Sequence, residues 1–170
     1  MIPRRVIALF VGAAFGLALV IGWRFLVVPD HSRGARMVAL FEQYCVPFVV
    51  DRTVPAPIGL TSISAFPDED VWMDEGTGLN LTVTDRLCTV SDMLLHLAEA
   101  DLRIVDEGFA GLQQRHFADW VVLDALGDHW ERHVAWAPVQ TDPDRSIQLV
   151  RPGAESGSSV TTLQAGVYPW

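Results

Sequence analysis

An uninterrupted apolar run near the N-terminus constrains this chain more than any other feature. Residues 6–23 are 18 uncharged, almost wholly apolar positions, and four further apolar residues follow Arg24. As a helix, such a run rises about 27 Å, close to the roughly 30 Å hydrocarbon core of a bilayer. Arg24 can snorkel to the headgroups, and Trp23 suits the membrane interface. We therefore predict a single transmembrane helix over residues 6–28, within an N-terminal membrane anchor of residues 1–34.

A cleaved signal peptide is the alternative reading of the same run, because residues 1–5 provide a basic start. The run is longer than the roughly 7–15 residues typical of signal peptides, and no small-x-small cleavage site follows it closely. The nearest candidate, residues 32–34, lies well beyond the run. These features favour an uncleaved signal anchor in contact with the lipid bilayer.

The charge distribution divides the chain at the same place. Residues 1–36 contain five arginines and one aspartate, a charge of +4, whereas residues 37–170 contain seven arginines and twenty acidic residues, a charge of -13. Nucleic-acid binding requires a basic footprint, so this composition argues against a nucleic-acid partner. The arginines flanking the run are nearly balanced, but a short basic N-terminus favours cytoplasmic retention of that end. We expect the acidic C-terminal domain in the periplasm or another extracytoplasmic space.

Small residues form one face of the predicted anchor helix. Ala8, Gly12 and Gly16 follow one another at intervals of four. Such rows let helix backbones approach closely in lipid, although glycine and alanine are also simply common in membrane helices. The pattern predicts contact with a second membrane protein through this face.

Residues 35–170 have the pattern of one small, mainly antiparallel α+β domain. A helix over 35–45 ends before Pro47, and a loop over 51–67 contains a short strand candidate at 60–64. Alternating apolar residues and turn signals predict a hairpin and three or four later strands. The predicted strands are residues 71–73, 79–83, 117–123 (with a helical alternative), 130–139, 146–150 and 160–167.

A second helix is predicted from a cap at Ser91 or Asp92 to about residue 107, where Gly108 ends it. Its buried stripe comprises Met93, Leu94, Leu97, Ala100, Ile104 and Val105. Its opposite face would carry Asp92, His96 and Glu99, which could bind a metal or relay protons. Because charged residues continue along that face, we interpret it as a solvated surface.

Cys45 and Cys88 are the two cysteines of the chain. In an exported domain an even number of cysteines indicates a disulfide. The alternatives are two buried thiols or a catalytic nucleophile, and the latter lacks an activating base nearby in sequence. We predict the bond Cys45–Cys88.

The only dense set of metal-ligand residues is His129, Glu131 and His133. On a strand these three side chains would project from one face, and two histidines with a carboxylate are a workable metal set. The spacing is not that of the HExxH motif, and strand alternation alone explains it. We therefore predict no metal and no other cofactor.

An acidic cluster surrounds one tryptophan in the predicted hairpin. Its members are Asp68, Glu69, Asp70, Trp72, Asp74 and Glu75. An acidic rim around an exposed aromatic residue could dock a basic partner. The alternative is that the acids keep the domain soluble while Trp72 belongs to the core.

The sequence contains no GxSxG, P-loop, GxGxxG or CxxCH motif. We therefore expect a membrane-anchored, periplasm-facing protein that acts by binding, as an accessory subunit or assembly factor of a membrane complex. The alternative is a membrane-anchored, metal-dependent hydrolase that uses His129, Glu131 and His133.

Overall fold

The structure is a computed structural model of the 170-residue chain. It describes residues 32–64, 67–93, 96–123, 130–139, 144–152 and 160–167. The chain divides into two units after residue 31, and all described residues belong to the second unit, Ser32–Trp170. The predicted anchor helix, with Ala8, Gly12 and Gly16, lies outside the described residues. None of the helices described here is long and apolar enough to cross a membrane.

The described part of the chain contains helices at both ends of a four-strand segment, and four further strands. The helices are α1 (Arg33–Leu40), a π-helical segment (Phe41–Cys45), α2 (Val46–Asp51) and α3 (Glu99–His116). The strands are β1 (Thr61–Ser62), β2 (Asp70–Asp74), β3 (Leu79–Val83), β4 (Leu87–Ser91), β5 (Val121–Val122), β6 (Trp130–Ala137), β7 (Arg145–Pro152) and β8 (Thr162–Val167).

All eight strands form one antiparallel sheet in the order β1-β2-β3-β4-β8-β7-β6-β5. Two four-strand meanders, β1–β4 and β5–β8, meet where β4 pairs with β8, and α3 connects them along the chain. The predicted combination of an antiparallel sheet with helices, an α+β domain, is confirmed. The predicted strands over 71–73, 79–83, 130–139, 146–150 and 160–167 are present with small changes of their bounds, whereas β4 was not predicted.

The core lies between the helices and one face of the sheet. Leu81, Val90, Leu163 and Leu149 are register partners on four neighbouring strands, and each is at most 1% exposed. Alternation along the strands places these residues on one face. Phe109 of α3 lies over that face, with its ring centroid 5.1 Å from that of Trp136 on β6.

Helices α1 and α3 pack side by side and in the same direction. The Gly34 amide donates to Asp101 Oδ1 at 2.9 Å, and a Cβ placed on Gly108 would lie 2.8 Å from Val38 Cγ2. The contact points therefore advance together along both helices, and glycine permits the close approach at each. Gly108 lies inside α3 because its missing side chain makes room for Val38, so the prediction that it ends the helix is wrong.

The first helical region is longer than predicted, because it continues through Pro47 to Asp51. The Val46 amide bonds to the carbonyl of Phe41, five residues back, which is the wider turn of a π-helix. Pro47 follows at the second position of α2, where its fixed φ is compatible with a new helical turn. The region ends at Arg52, whose φ of 58° is left-handed.

The second helix begins later and ends later than predicted. Ser91 ends β4, and Asp92 is fully buried outside the helix, so neither caps it. The Asp92 carboxylate instead accepts the backbone amides of Leu97, at 2.9 Å, and Thr161, at 2.6 Å. The predicted buried stripe is also displaced. Leu97 and Val105 are buried, Met93, Ala100 and Ile104 are exposed, Leu94 lies outside the described residues, and the buried residues of α3 are Val105, Phe109 and Leu112.

Candidate functional site

The predicted disulfide is present between Cys45, in the π-helical segment, and Cys88, in β4. The two residues are 43 positions apart in sequence, their Cα atoms are 5.3 Å apart, and neither is exposed. The bond therefore fastens the first helical region to the middle of the sheet, and the free-thiol alternatives are wrong.

The members of the acidic cluster do not form one exposed surface, because Asp74, at the end of β2, is buried. Asp74 is 9% exposed, and its carboxylate accepts two hydrogen bonds of 3.2 Å from Nε and Nη2 of Arg36. The Thr77 hydroxyl also donates to Asp74, and Arg33 Nε donates to the Thr77 carbonyl at 2.7 Å. Asp74 thus fastens α1 to the hairpin turn and does not belong to an exposed acidic rim.

Trp72 is neither a fully exposed docking residue nor a fully buried core residue. It pairs with Leu81 across β2 and β3, so alternation directs it to the helix-covered face of the sheet. It is half-buried and packs against the core. Trp72 therefore contributes to packing. The exposed members of the cluster are carboxylates.

Three carboxylates of the cluster, those of Asp68, Asp70 and Glu75, are exposed, and Glu69 is half-buried. Glu75 contacts β1, the last strand at this end of the sheet, because the Thr61 hydroxyl donates to Glu75 Oε1 at 2.7 Å. Asp70 begins the neighbouring strand β2, and Asp68 and Glu69 precede it in sequence. We call Asp68, Asp70, Glu75 and Ile63 the acidic edge.

Ile63 extends the acidic edge with apolar surface. Its amide donates to the Val71 carbonyl at 2.8 Å, which places it directly against β2, yet its side chain is 42% exposed. Ile58, in the loop that leads into β1, is 85% exposed. Neither isoleucine is recognisable from the sequence, because a loop rich in proline and glycine shows no periodicity that would mark a residue as buried or exposed.

The residues predicted as metal ligands are only partly placed. His129 lies outside the described residues. Within the described strands, Glu131 has no register partner on β7, because Trp130 pairs with Pro152 and the next pair is Arg132 with Arg151. His133 Nε2 lies 3.4 Å from Gln148 Oε1 on the neighbouring strand. In the part of the chain that the structure describes, no three His, Cys, Asp or Glu side chains are grouped so that they could hold a metal ion.

The predicted polar face of Asp92, His96 and Glu99 does not form. Asp92 and His96 precede α3, and Glu99 is its first residue. The three residues therefore cannot share a helical face, and the buried Asp92 carboxylate is occupied by backbone amides.

Comparison of the chain with models of known protein families, with curated proteins and with solved structures finds no match.

Proposed function

We propose that this protein is a membrane-anchored binding protein, an accessory subunit or assembly factor of a membrane complex, whose domain faces the periplasm. The single observation that supports it best is the acidic edge. Its three carboxylates are exposed, and within the described ranges none of them pairs with a basic side chain. A basic partner can therefore reach them without displacing an internal ion pair.

The acidic edge combines the two kinds of contact that a protein interface needs. Exposed carboxylates in an acidic domain, whose residues 37–170 carry a charge of -13, attract a basic surface and raise its rate of association. Ile63 adds apolar area that a partner can bury, and buried apolar contacts slow dissociation. The partner we infer is a protein segment that presents arginine or lysine beside an apolar side chain.

Charge-neutralising variants of the full chain test this docking surface. Asp68→Asn, Asp70→Asn and Glu75→Gln together should reduce recovery of the partner after purification in mild detergent, read by mass spectrometry. Because rim charges act mainly on association, we expect about a tenfold lower association rate at low salt. The matched control is Asp85→Asn with Glu107→Gln and Asp119→Asn, which changes the net charge equally at exposed positions elsewhere. An equal loss in both variants, or none in the first, would contradict docking at the acidic edge.

The proposed topology is supported by the disulfide, since such bonds persist mainly in oxidising compartments. Because Cys45 and Cys88 are buried, alkylation is carried out on protein denatured directly from cells, and it should require prior reduction. A reporter that is active only in the cytoplasm, fused to the C-terminus, should be silent. An active reporter would overturn the proposed orientation.

We further propose that the anchor itself contacts a membrane partner through Ala8, Gly12 and Gly16. Gly12→Ile with Gly16→Ile should hold a neighbouring helix away while leaving the hydrophobicity needed for insertion intact. We expect a loss on the order of 1–2 kcal/mol of association free energy, with normal membrane yield. Phe15→Leu, away from this row, is the control. If the double variant retains its partners, the anchor serves only as a tether.

A further inference from the structure

Two arginines face each other on neighbouring strands near the β5 edge of the sheet, whereas the acidic edge lies at the β1 edge. Arg132 of β6 and Arg151 of β7 are direct register partners. Like charges placed directly opposite on antiparallel strands repel each other, so this pair requires compensation. The nearest compensation comes from Asp106 of α3, which lies over this pair of strands.

Asp106 compensates for only one of the two charges. Its Oδ1 accepts a hydrogen bond from Arg151 Nη2 at 3.3 Å and lies 3.9 Å from Arg132 Nε, too far for a hydrogen bond. Among the described residues, Asp106 is the only carboxylate paired with either guanidinium. Counted over the described residues, the cluster thus keeps one positive charge, although residues 37–170 carry a charge of -13 overall.

One hydrogen-bond donor of this cluster, Arg151 Nε, also lacks an acceptor among the described residues. The Arg151 side chain is nine-tenths buried, and its Nε, itself buried, has no hydrogen-bond partner. A buried donor without an acceptor is unfavourable, and native structures seldom retain one without a reason. The Arg132 side chain is 49% exposed, so the cluster is open to solvent on that side.

The strand is irregular where these arginines meet. Between Trp130 and Arg132 the register of β6 shifts by one residue against β7, as in a β-bulge. Bulges re-aim a side chain and are over-represented beside functional sites. Here the shift brings Arg132 opposite Arg151, whereas regular pairing from Trp130 onward would place Glu131 there.

We propose that Arg132 and Arg151 form a binding site for the carboxylate group of a small ligand, with Asp106 as the residue that positions the Arg151 guanidinium. A guanidinium presents planar paired donors that match a carboxylate. One carboxylate also neutralises the single remaining charge, whereas a dianionic phosphate would exceed it and meet the acidic domain's repulsion. This site is separate from the acidic edge and does not rest on the proposed docking function.

Acetate is the probe for this site, and the guanidinium signals are the readout. The full chain, labelled with nitrogen-15 arginine, is titrated with sodium acetate against sodium chloride at constant ionic strength while the Nε–H resonances are followed. We expect saturable shifts of the Arg132 and Arg151 signals with acetate only. Arg132→Gln should weaken acetate binding, read at Arg151, by about tenfold or more. Arg115→Gln, which removes another half-exposed arginine paired with a carboxylate, should leave it unchanged.

Three results would overturn the proposal. The first is the absence of a saturable shift with acetate, or an equal shift with chloride. The second is unchanged acetate binding in Arg132→Gln whose remaining spectrum shows a native fold. The third is saturation by inorganic phosphate at a lower concentration than acetate, which would exclude a carboxylate as the preferred ligand.

Discussion

Helices α1 and α3 lie on the same sheet, yet their arginine–aspartate contacts with it differ in balance. At α1, Arg36 donates two hydrogen bonds to the carboxylate of Asp74, which is almost fully buried. At α3, two arginines share Asp106 through one hydrogen bond. The first contact pairs a buried carboxylate with an arginine and stabilises the fold, whereas in the second the two arginines outnumber the carboxylate.

The two regions also differ in what else holds them. The first helical region is fastened covalently by Cys45–Cys88, and Arg33 adds a hydrogen bond to the hairpin turn. Helix α3 is held by apolar packing of Phe109 and Leu112, both at most 1% exposed. An unbalanced ion cluster is tolerable at α3 because this apolar packing does not depend on the cluster.

Removal of the disulfide should have the largest effect on this comparison. Cys45→Ala with Cys88→Ala should lower the free energy of unfolding by about 4 kcal/mol, because the cross-link closes a loop of this length and so reduces the entropy of the unfolded chain. Denaturant unfolding of the oxidised full chain and of the variant measures it. A loss below about 1 kcal/mol would show that packing alone fastens the first helical region, and the contrast with α3 would disappear.

Gly34→Ala should be next in size, at about 3 kcal/mol of lost stability. An added Cβ would overlap the backbone oxygen of Asp101, and backbone cannot move aside as a side chain can. The control is Gly111→Ala in α3, where the nearest atom is the flexible Arg115 Nη1 at 3.1 Å and alanine favours the helix. Equal thermal stability of the two variants would show that α1 and α3 are not in close backbone contact.

These contacts also show what the sequence could reveal. Alternation from Leu79 to Val83 identified β3 because a half-buried strand carries its pattern locally. Two cysteines allow one pairing, so the disulfide was predictable once an oxidising compartment was inferred. The beginning of α3 was not predictable, because Asp92 bonds to Thr161, which is 69 residues away. Similarly, Arg132 and Arg151 meet only through the shifted register of β6 and β7, which no local pattern records.

Paired arginine substitutions test the difference in balance directly. Arg36→Gln should cost about 1–2 kcal/mol of stability, because a buried carboxylate loses two charge-assisted hydrogen bonds. Arg132→Gln should be neutral or stabilise the domain by up to about 0.5 kcal/mol, because it removes the repulsion by a facing like charge. Denaturant unfolding in ligand-free buffer measures both. A comparable loss of stability in the two variants would mean that the charge of Arg132 is compensated as fully as that of Arg36.

The smallest expected effect concerns Glu42, which connects the first helical region directly to the end of α3. Its Oε1 accepts hydrogen bonds from His116 Nε2 at 2.8 Å and from Arg115 Nη2 at 3.0 Å. Burial by itself raises the pKa of Glu42, but the hydrogen bonds from His116 and Arg115, together with their charges, outweigh it and lower the pKa below its ordinary value. A carboxylate whose pKa is lowered by folding stabilises the folded state above its unfolded-state pKa, about 4.3, and loses that contribution as the pH falls through the folded-state pKa.

Stability measured from pH 6 to pH 3 for the wild type and for Glu42→Gln should therefore converge toward the acidic end. Because the cluster is partly exposed and screened, the difference at pH 6 should be below about 1 kcal/mol. Glu107→Gln, an exposed glutamate on α3, is the control and should shift the curve little at any pH. A Glu42→Gln difference that stays constant down to pH 3 would show that the two helices are joined here by packing, as α3 is joined to the sheet, and not by charge.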